Sequence, residues 1–231
     1  MSTICAVTAR SSLRKRAGAR AGRTTSTVQS LTKAELAASL PATPSPDARE
    51  IAPGIYALRV FTPAEAAIIV SQAALSPRWF PAVINAALDI DRNVRDAELL
   101  FEEVHRPHSD VYRERLEAVT SGLAQRLAPN SVVREVQLVR YAPGGKYREH
   151  RDGPTPGAEQ RVLSLVAYLN ENFGGGETTF VELGVTVSPL TGVVIAFPPE
   201  YLHRADSVVN GKKYVITAWY HGAQGNPVQT P

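Results

Sequence analysis

Apolar positions follow two different periods along the chain, and the change comes near Pro129. Before it, Leu116, Val119, Leu123 and Leu127 recur every three or four residues, which places them on one face of a helix over roughly 109–127. Further upstream, "FTPAEAAIIVSQAAL" opens with Thr62 as a helix cap, Pro63 at the first helical position and Glu65 three residues after the cap. That combination marks a helix start and predicts a helix over about 62–75. After Pro129 the pattern breaks into short β-rich runs: "VVREVQLVRY", "RVLSLVAYLN", "TTFVEL", "VTVSP", "GVVIAF" and "KYVITAWY". Turn formers separate them at "APGG", "GPTPG", "FGGG", "TG", "FPPE" and "NG". Many short strands with such punctuation predict a barrel or jelly roll. Helices first and strands afterwards give an α+β chain, with the helices packed on the outside of the sheet.

The 231 residues suffice for one well-buried domain plus a tail. No apolar run approaches the roughly 18 residues a membrane helix requires, so no membrane partner is expected. "LPATPSPDAREIAPG", residues 40–54, reads as a linker, which puts the start of the folded part near Ile51. The expected organisation is a tail and linker over 1–50, a helical support region over 51–134, a jelly-roll core over 135–222 and a C-terminal tail over 223–231.

A pI near 9.1 invites a nucleic-acid reading until the charge is divided by region. Residues 1–50 carry a net charge of +5 and residues 51–231 a net charge of −2. The basic character lies in the tail, and a mildly acidic body gives no reason to expect nucleic acid as its partner. Cys5 is the only cysteine, which excludes an intrachain disulfide framework and makes a reducing compartment the simpler setting. "RSSLRKRAGARAGRTTS" has the composition of an organellar transit peptide and equally of a disordered basic extension. The lack of a clear amphipathic face favours the second reading and a cytoplasmic location, with organellar targeting as the alternative.

Candidate chemistry concentrates in "KYREHRDGPTPG". In a strand, residues i and i+2 share a face, so His150 and Asp152 are expected to point into the barrel while Arg151 points away. Imidazole nitrogen and carboxylate oxygen suit iron(II), which two histidines and one carboxylate bind while leaving positions open. His105 and His108 lie in a charged segment and read as surface or helix-start residues, and His221 reads as a loop residue after the last strand. His203, which begins a strand after the apolar "GVVIAF", is the expected second histidine. A small-molecule partner on such a metal needs its charge met nearby. Strand alternation with Val215, Thr217 and Trp219 selects Lys213 over Lys212, whereas a tight Asn210-Gly211 hairpin would favour Lys212.

Together these residues resemble the iron(II)/2-oxoglutarate-dependent dioxygenases of the prolyl 4-hydroxylase branch. The matching stretches, in family order over roughly 135–220, are "YAPGGKYREHRD", "YLNENFGGGETTF", "VSPLTGVVIAF" and a histidine ten residues before the lysine of "GKKYVITAWY". "VFTPAEAAIIV", "WFPAVI" and "NVRDAELLF" form a weaker match upstream. The resemblance implies a double-stranded β-helix (cupin-like jelly roll). It also implies that His150, Asp152 and His203 bind Fe(2+), that Lys213 pairs with the distal carboxylate of 2-oxoglutarate, and that Tyr168 donates a hydrogen bond to the same group. Tyr141 lines the pocket in this reading, although both tyrosines also fit as ordinary barrel residues. O2 is the second cosubstrate, and L-ascorbate belongs to the implied cofactor set.

The implied reaction is hydroxylation of an unactivated C–H with release of succinate and CO2. Asp152 favours hydroxylation over halogenation, which would need a small residue there to admit halide. A prolyl residue in a peptide is the first substrate candidate, and a free amino acid or natural-product intermediate the second. A non-catalytic barrel that binds a small ligand is the alternative of a different class.

Overall fold

The computed structural model describes residues 28–84, 88–101, 108–154 and 160–222. The basic segment before residue 28, His105, the end of the "GPTPG" turn and the expected C-terminal tail lie outside the described residues.

Helix starts are where the local signals put them. In α1 (Lys33–Ser39) and α2 (Pro63–Ala74), Thr32 with Glu35 and Thr62 with Glu65 form reciprocal caps. In α2 the Glu65 backbone N–H donates to Thr62 Oγ1 at 3.2 Å and the Thr62 N–H to Glu65 Oε2 at 2.8 Å. Two donors that a helix start leaves orphaned are thereby satisfied. The 20-residue α3 (His108–Leu127) covers the expected second helix.

Eight strands form the larger sheet. Their order is β2 (Arg49–Ala52), β3 (Ile55–Arg59), β13 (Val193–Phe197), β9 (Arg161–Tyr168), β16 (Lys213–His221), β7 (Val132–Tyr141), β6 (Glu98–Phe101) and β4 (Phe80–Pro81). A six-stranded sheet runs β1 (Gln29–Leu31), β12 (Val185–Val187), β11 (Thr178–Phe180), β14 (His203–Ala205), β8 (Lys146–His150) and β5 (Arg95–Asp96). A short pair, β10 (Gly174–Gly175) and β15 (Val208–Asn210), joins their ends.

Strand alternation divides the core in two. Leu138, Leu165, Ile216 and Ala218 pack with Ala66 and Ala73 of α2 and with Tyr112, Leu116, Val119 and Leu123 of α3. Their neighbours Val139, Val166 and Val215 pack with Phe180, Val187 and Phe197 from the facing sheet. The result is a jelly roll with α2 and α3 layered on the outer face of its larger sheet. Being covered on both sides, β16 reads as an almost continuous apolar run.

The amino-terminal boundary differs from the expectation. β1 pairs in parallel with β12, Leu36 is 1% exposed and Leu40 is buried in the inter-sheet cluster. Arg59, itself buried, donates from Nε to the Pro41 carbonyl at 2.7 Å and from Nη1 to the Thr191 carbonyl at 3.0 Å. The folded part therefore includes Gln29 onward, not Ile51 onward, and the supposed linker carries β2. The segment looked like a tail because only Leu31, Leu36 and Leu40 carry its packing, amid Pro, Ala and Ser. Leu36→Ala should cost about 2–5 kcal/mol of unfolding free energy in a denaturant titration, as a fully buried leucine does. A loss under about 0.5 kcal/mol, the ordinary range for surface changes, would return this segment to a peripheral role.

Candidate metal centre

His150 closes β8 and His203 opens β14, and the antiparallel register sets the two directly opposite one another. Their ring centroids are 4.2 Å apart. Asp152 follows two residues after His150, just past the strand, where its N–H donates to the Pro199 carbonyl at 2.8 Å. Gly153 donates to the same oxygen at 3.1 Å, so the turn after His150 is pinned to the segment leading into His203. The carboxylate lies between the imidazoles, with Oδ1 3.5 Å from His150 Nε2 and Oδ2 3.8 Å from His203 Nε2. One ligand atom from each residue falls within 4.8 Å of the others. Arg151 points away, exposed and paired with Glu182 at 2.6 Å.

The tautomers follow from the neighbours. His150 Nδ1 lies 2.8 Å from the Arg148 carbonyl and His203 Nδ1 lies 2.9 Å from the Tyr201 carbonyl. A carbonyl only accepts, so each Nδ1 carries the proton and each Nε2 keeps its lone pair for a metal. Burial lowers the His203 pKa to about 4 against the opposing pull of Asp152. Burial alone would raise the Asp152 carboxyl, but the neighbouring His203 and His150 outweigh it and hold the group well below the usual carboxylate range. At neutral pH His203 is neutral and Asp152 ionised, and both rings turn Nε2 toward the carboxylate, so the residues present fit iron(II).

The expected strand geometry needs one amendment. From His150 back to Tyr147 the chain takes three steps along β8 while β14 takes two, from His203 to Ala205. This bulge brings Tyr147 and His150 together on one side, where their rings stack at 3.5 Å and 16°. On its other side the Tyr147 ring carries the Arg95 guanidinium at 4.7 Å. Neither Tyr147 nor Arg95 had been singled out by sequence pattern, since strict alternation separates residues three apart.

Lys213 is 2% exposed, whereas Lys212 is exposed. Its Nζ donates to the Gly176 carbonyl at 2.7 Å and lies 5.1 Å and 5.6 Å from the ring centroids of Tyr141 and Tyr168. Burial lowers its pKa to about 8, with Glu177 and Asp206 pulling it back upward. The hairpin that would have favoured Lys212 does not form. β15 pairs with β10, while β16 pairs with β7 and β9, so Asn210-Gly211 turns a corner between sheets and imposes no register. Gly176 has φ +71°, and a Cβ there would sit 2.9 Å from the Phe173 ring and 3.1 Å from Lys213 Cδ. The glycine run thus makes room for the lysine as well as turning the chain.

Tyr168 is fully buried, and its hydroxyl donates to Thr178 Oγ1 at 2.8 Å. Tyr141 is 4% exposed, and burial raises its phenol pKa. Thr178, which sequence pattern gave no reason to select, completes a polar cluster with Lys213 and the two tyrosines. His221 is the last residue of β16, not a loop residue, and its Nε2 lies 3.0 Å from Glu135 Oε1. Glu135 also binds Arg161, whose Nη1 donates to the Asp152 carbonyl at 3.1 Å. His108 begins α3, as expected of a helix-start residue.

Residues 136–221 match the family model of the 2OG-Fe(II) oxygenase superfamily. A PKHD-type hydroxylase of Thermosynechococcus vestitus is 26% identical over 151 residues, 60% of this chain and 65% of that one. Prolyl 4-hydroxylase subunit alpha-1 of Gallus gallus is 30% identical over 109 residues, 39% of this chain and 21% of that one. The chain therefore spans less than two thirds of these relatives. Among solved structures, a Trichoplax adhaerens prolyl hydroxylase in complex with a hypoxia inducible factor peptide superposes with a TM-score of 0.63 at 17% identity, over 77% of this chain and 88% of that one. That likeness bears on fold alone. The jelly roll, the two-histidine, one-carboxylate cluster and the matched region agree, so residues 136–221 are similar to the 2OG-Fe(II) oxygenase superfamily and the chain is prolyl 4-hydroxylase-like.

Proposed function

We propose that this protein hydroxylates an unactivated C–H bond, with a prolyl ring as the leading substrate unit. The observation that carries the reading is the juxtaposition, inside one barrel, of three metal-ligating side chains with the buried cation Lys213. His150, Asp152 and His203 hold Fe(2+), and Lys213, Tyr168 and Thr178 receive the distal carboxylate of 2-oxoglutarate. Bound iron with 2-oxoglutarate and O2 supplies the oxidising chemistry, in which the 2-oxo acid loses CO2 to become succinate and one oxygen atom enters the substrate C–H bond.

The chain's own part is positioning and shielding. Phe197 packs edge-on against the His203 ring at 4.7 Å and Phe180 lies tilted at 6.0 Å, so both shield that side of the donor cluster from water. Lys213 gives the cosubstrate a direction, since only its distal carboxylate would meet the ammonium. A peptidyl substrate is supported by the names of the relatives, one of which holds a peptide. The test is succinate formation from 2-oxoglutarate with anaerobically added iron(II), across amino acids and prolyl peptides, in wild type and His203→Ala. Substrate-stimulated succinate in wild type alone is the expected result. Equal, unstimulated traces in both proteins would favour the non-catalytic barrel.

A pH dependence follows from Lys213. With its pKa at about 8, the free site is cationic below that pH and neutral above it. The neutral amine must take up a proton to bind a carboxylate, so 2-oxoglutarate affinity should be flat below pH 8. It should then weaken by up to about tenfold per pH unit above it. Anaerobic titration of the iron-loaded protein with 2-oxoglutarate from pH 6.5 to about pH 9.5 reads this directly. A flat profile would mean that another group carries the binding.

A further inference from the structure

Arg95 is 8% exposed, yet it has no ion-pair partner among the described residues, and its Nε has no hydrogen-bond partner. One guanidinium nitrogen donates to the Val83 carbonyl at 2.9 Å. Its position is fixed from below by Tyr147, opposite which it stands in the β5–β8 register. Tyr147 in turn stacks on the metal ligand His150, so the guanidinium is one ring's thickness from the metal cluster and turned inward. Arg59, equally buried, is satisfied by two backbone carbonyls, whereas Arg95 keeps an orphaned Nε beside the metal cluster, which is unfavourable unless a ligand supplies the acceptor and countercharge.

The interior charges show which ligand that is. Asp152 contributes one negative charge and Lys213 one positive charge, while Arg161 is matched by Glu135. Adding a divalent metal and a dianionic 2-oxo acid to Asp152 and Lys213 gives a neutral set. Arg95 is then the cation left over. We propose that Arg95 binds a carboxylate of the substrate, so that the hydroxylated unit is an amino acid or the C-terminal residue of a short peptide, presenting its free carboxylate inside the barrel. This inference rests on the iron(II)/2-oxoglutarate reading above. It narrows the substrate class to acids and disfavours mid-chain residues, whose neutral amides leave the guanidinium uncompensated. A bidentate pair with the planar fork would also orient the C–H bond relative to the metal.

The experiment uses the full chain loaded anaerobically with iron(II) and 2-oxoglutarate. Binding of N-acetyl-L-proline and N-acetyl-L-prolinamide, which differ only in the carboxylate, is followed by the perturbation of the metal-to-cosubstrate charge-transfer absorption. The same pair is compared as L-prolyl dipeptide acid and amide, to separate free amino acids from peptide C-termini. Wild type should prefer the acid by at least about tenfold, the worth of one charge-assisted pair over a neutral contact. Arg95→Gln should lose the preference and Arg95→Lys should keep part of it. Unchanged 2-oxoglutarate affinity in both variants shows that they are folded. Lack of any Arg95-dependent preference for the acid, including failure of both probes to bind, overturns the proposal while leaving the parent reading intact. Loss of 2-oxoglutarate affinity in Arg95→Gln, with Arg95→Lys normal, also overturns it by assigning the arginine to the cosubstrate. Failure of wild type itself to bind 2-oxoglutarate removes the parent reading and this one together.

Discussion

Asp152→Ala should abolish iron(II) binding and succinate formation together. The carboxylate is the only anionic donor of the cluster and lies between both imidazoles, so its removal leaves two neutral nitrogens to hold a dication. Loss of a partner that merely orients a ligand typically costs about 10–100-fold in metal affinity, and loss of the ligand itself should exceed that range. Competition with a chelator, using Mn(II) or Co(II) in place of iron, measures affinity without depending on turnover. His203→Ala should behave alike. A variant that binds metal within about threefold of wild type, well inside that range, would remove the metal-centre assignment. Glu182→Ala, which breaks only the exposed pair with Arg151, should leave both readings unchanged.

Lys213→Met separates binding from stability. Methionine fills nearly the same volume but brings no charge, so 2-oxoglutarate should lose its buried counterion. Removing one partner of a buried pair costs about 3–5 kcal/mol, equivalent to about 10²–10⁴-fold in affinity. Lys212→Met, at an exposed position, should change affinity less than about twofold, within the range of surface substitutions. The ligand-free protein should respond in the opposite sense. The Lys213 pKa is depressed to about 8 from an ordinary 10.5, so the folded state binds fewer protons than the unfolded state between these values. Stability then rises with pH across that window and is lowest below pH 8. Lys213→Met should therefore raise the melting temperature at pH 7 while it weakens the cosubstrate, and should remove the rise between pH 8 and 10.5. Reduced stability together with intact affinity would make Lys213 a structural lysine.

Much of this site was legible before any coordinates because it depends on strand alternation. The i, i+2 relation puts His150 and Asp152 on one side, and the run Lys213, Val215, Thr217, Trp219 keeps one face along β16. What was not legible depends on departures from that rule. Tyr147 joins His150 only because β8 has one residue more than β14 opposite them, and no local pattern in "KYREH" announces a bulge. Arg95 comes from a two-residue strand, too short for any period, and it is placed by its partner β8 and by the Val83 carbonyl. The amino-terminal boundary was misread for a related reason: β1 has three residues and its pairing with β12 is parallel and remote in sequence. Asn210-Gly211 shows the converse. The dipeptide does turn the chain, but a turn signal does not say whether the flanking strands pair with each other.

β16 carries Lys213, Val215 and Trp219 on one side and Tyr214, Ile216, Ala218 and Tyr220 on the other. Its outer side is tied to α3 by a 2.8 Å hydrogen bond between the buried Tyr220 and Thr120 hydroxyls. Lys213, the proposed cosubstrate anchor, and the helical layer thus lie on opposite faces of a single strand. A cavity placed beneath α3 is therefore expected to loosen the seat of Lys213 from behind while leaving His150, Asp152 and His203, which come from other segments, in place.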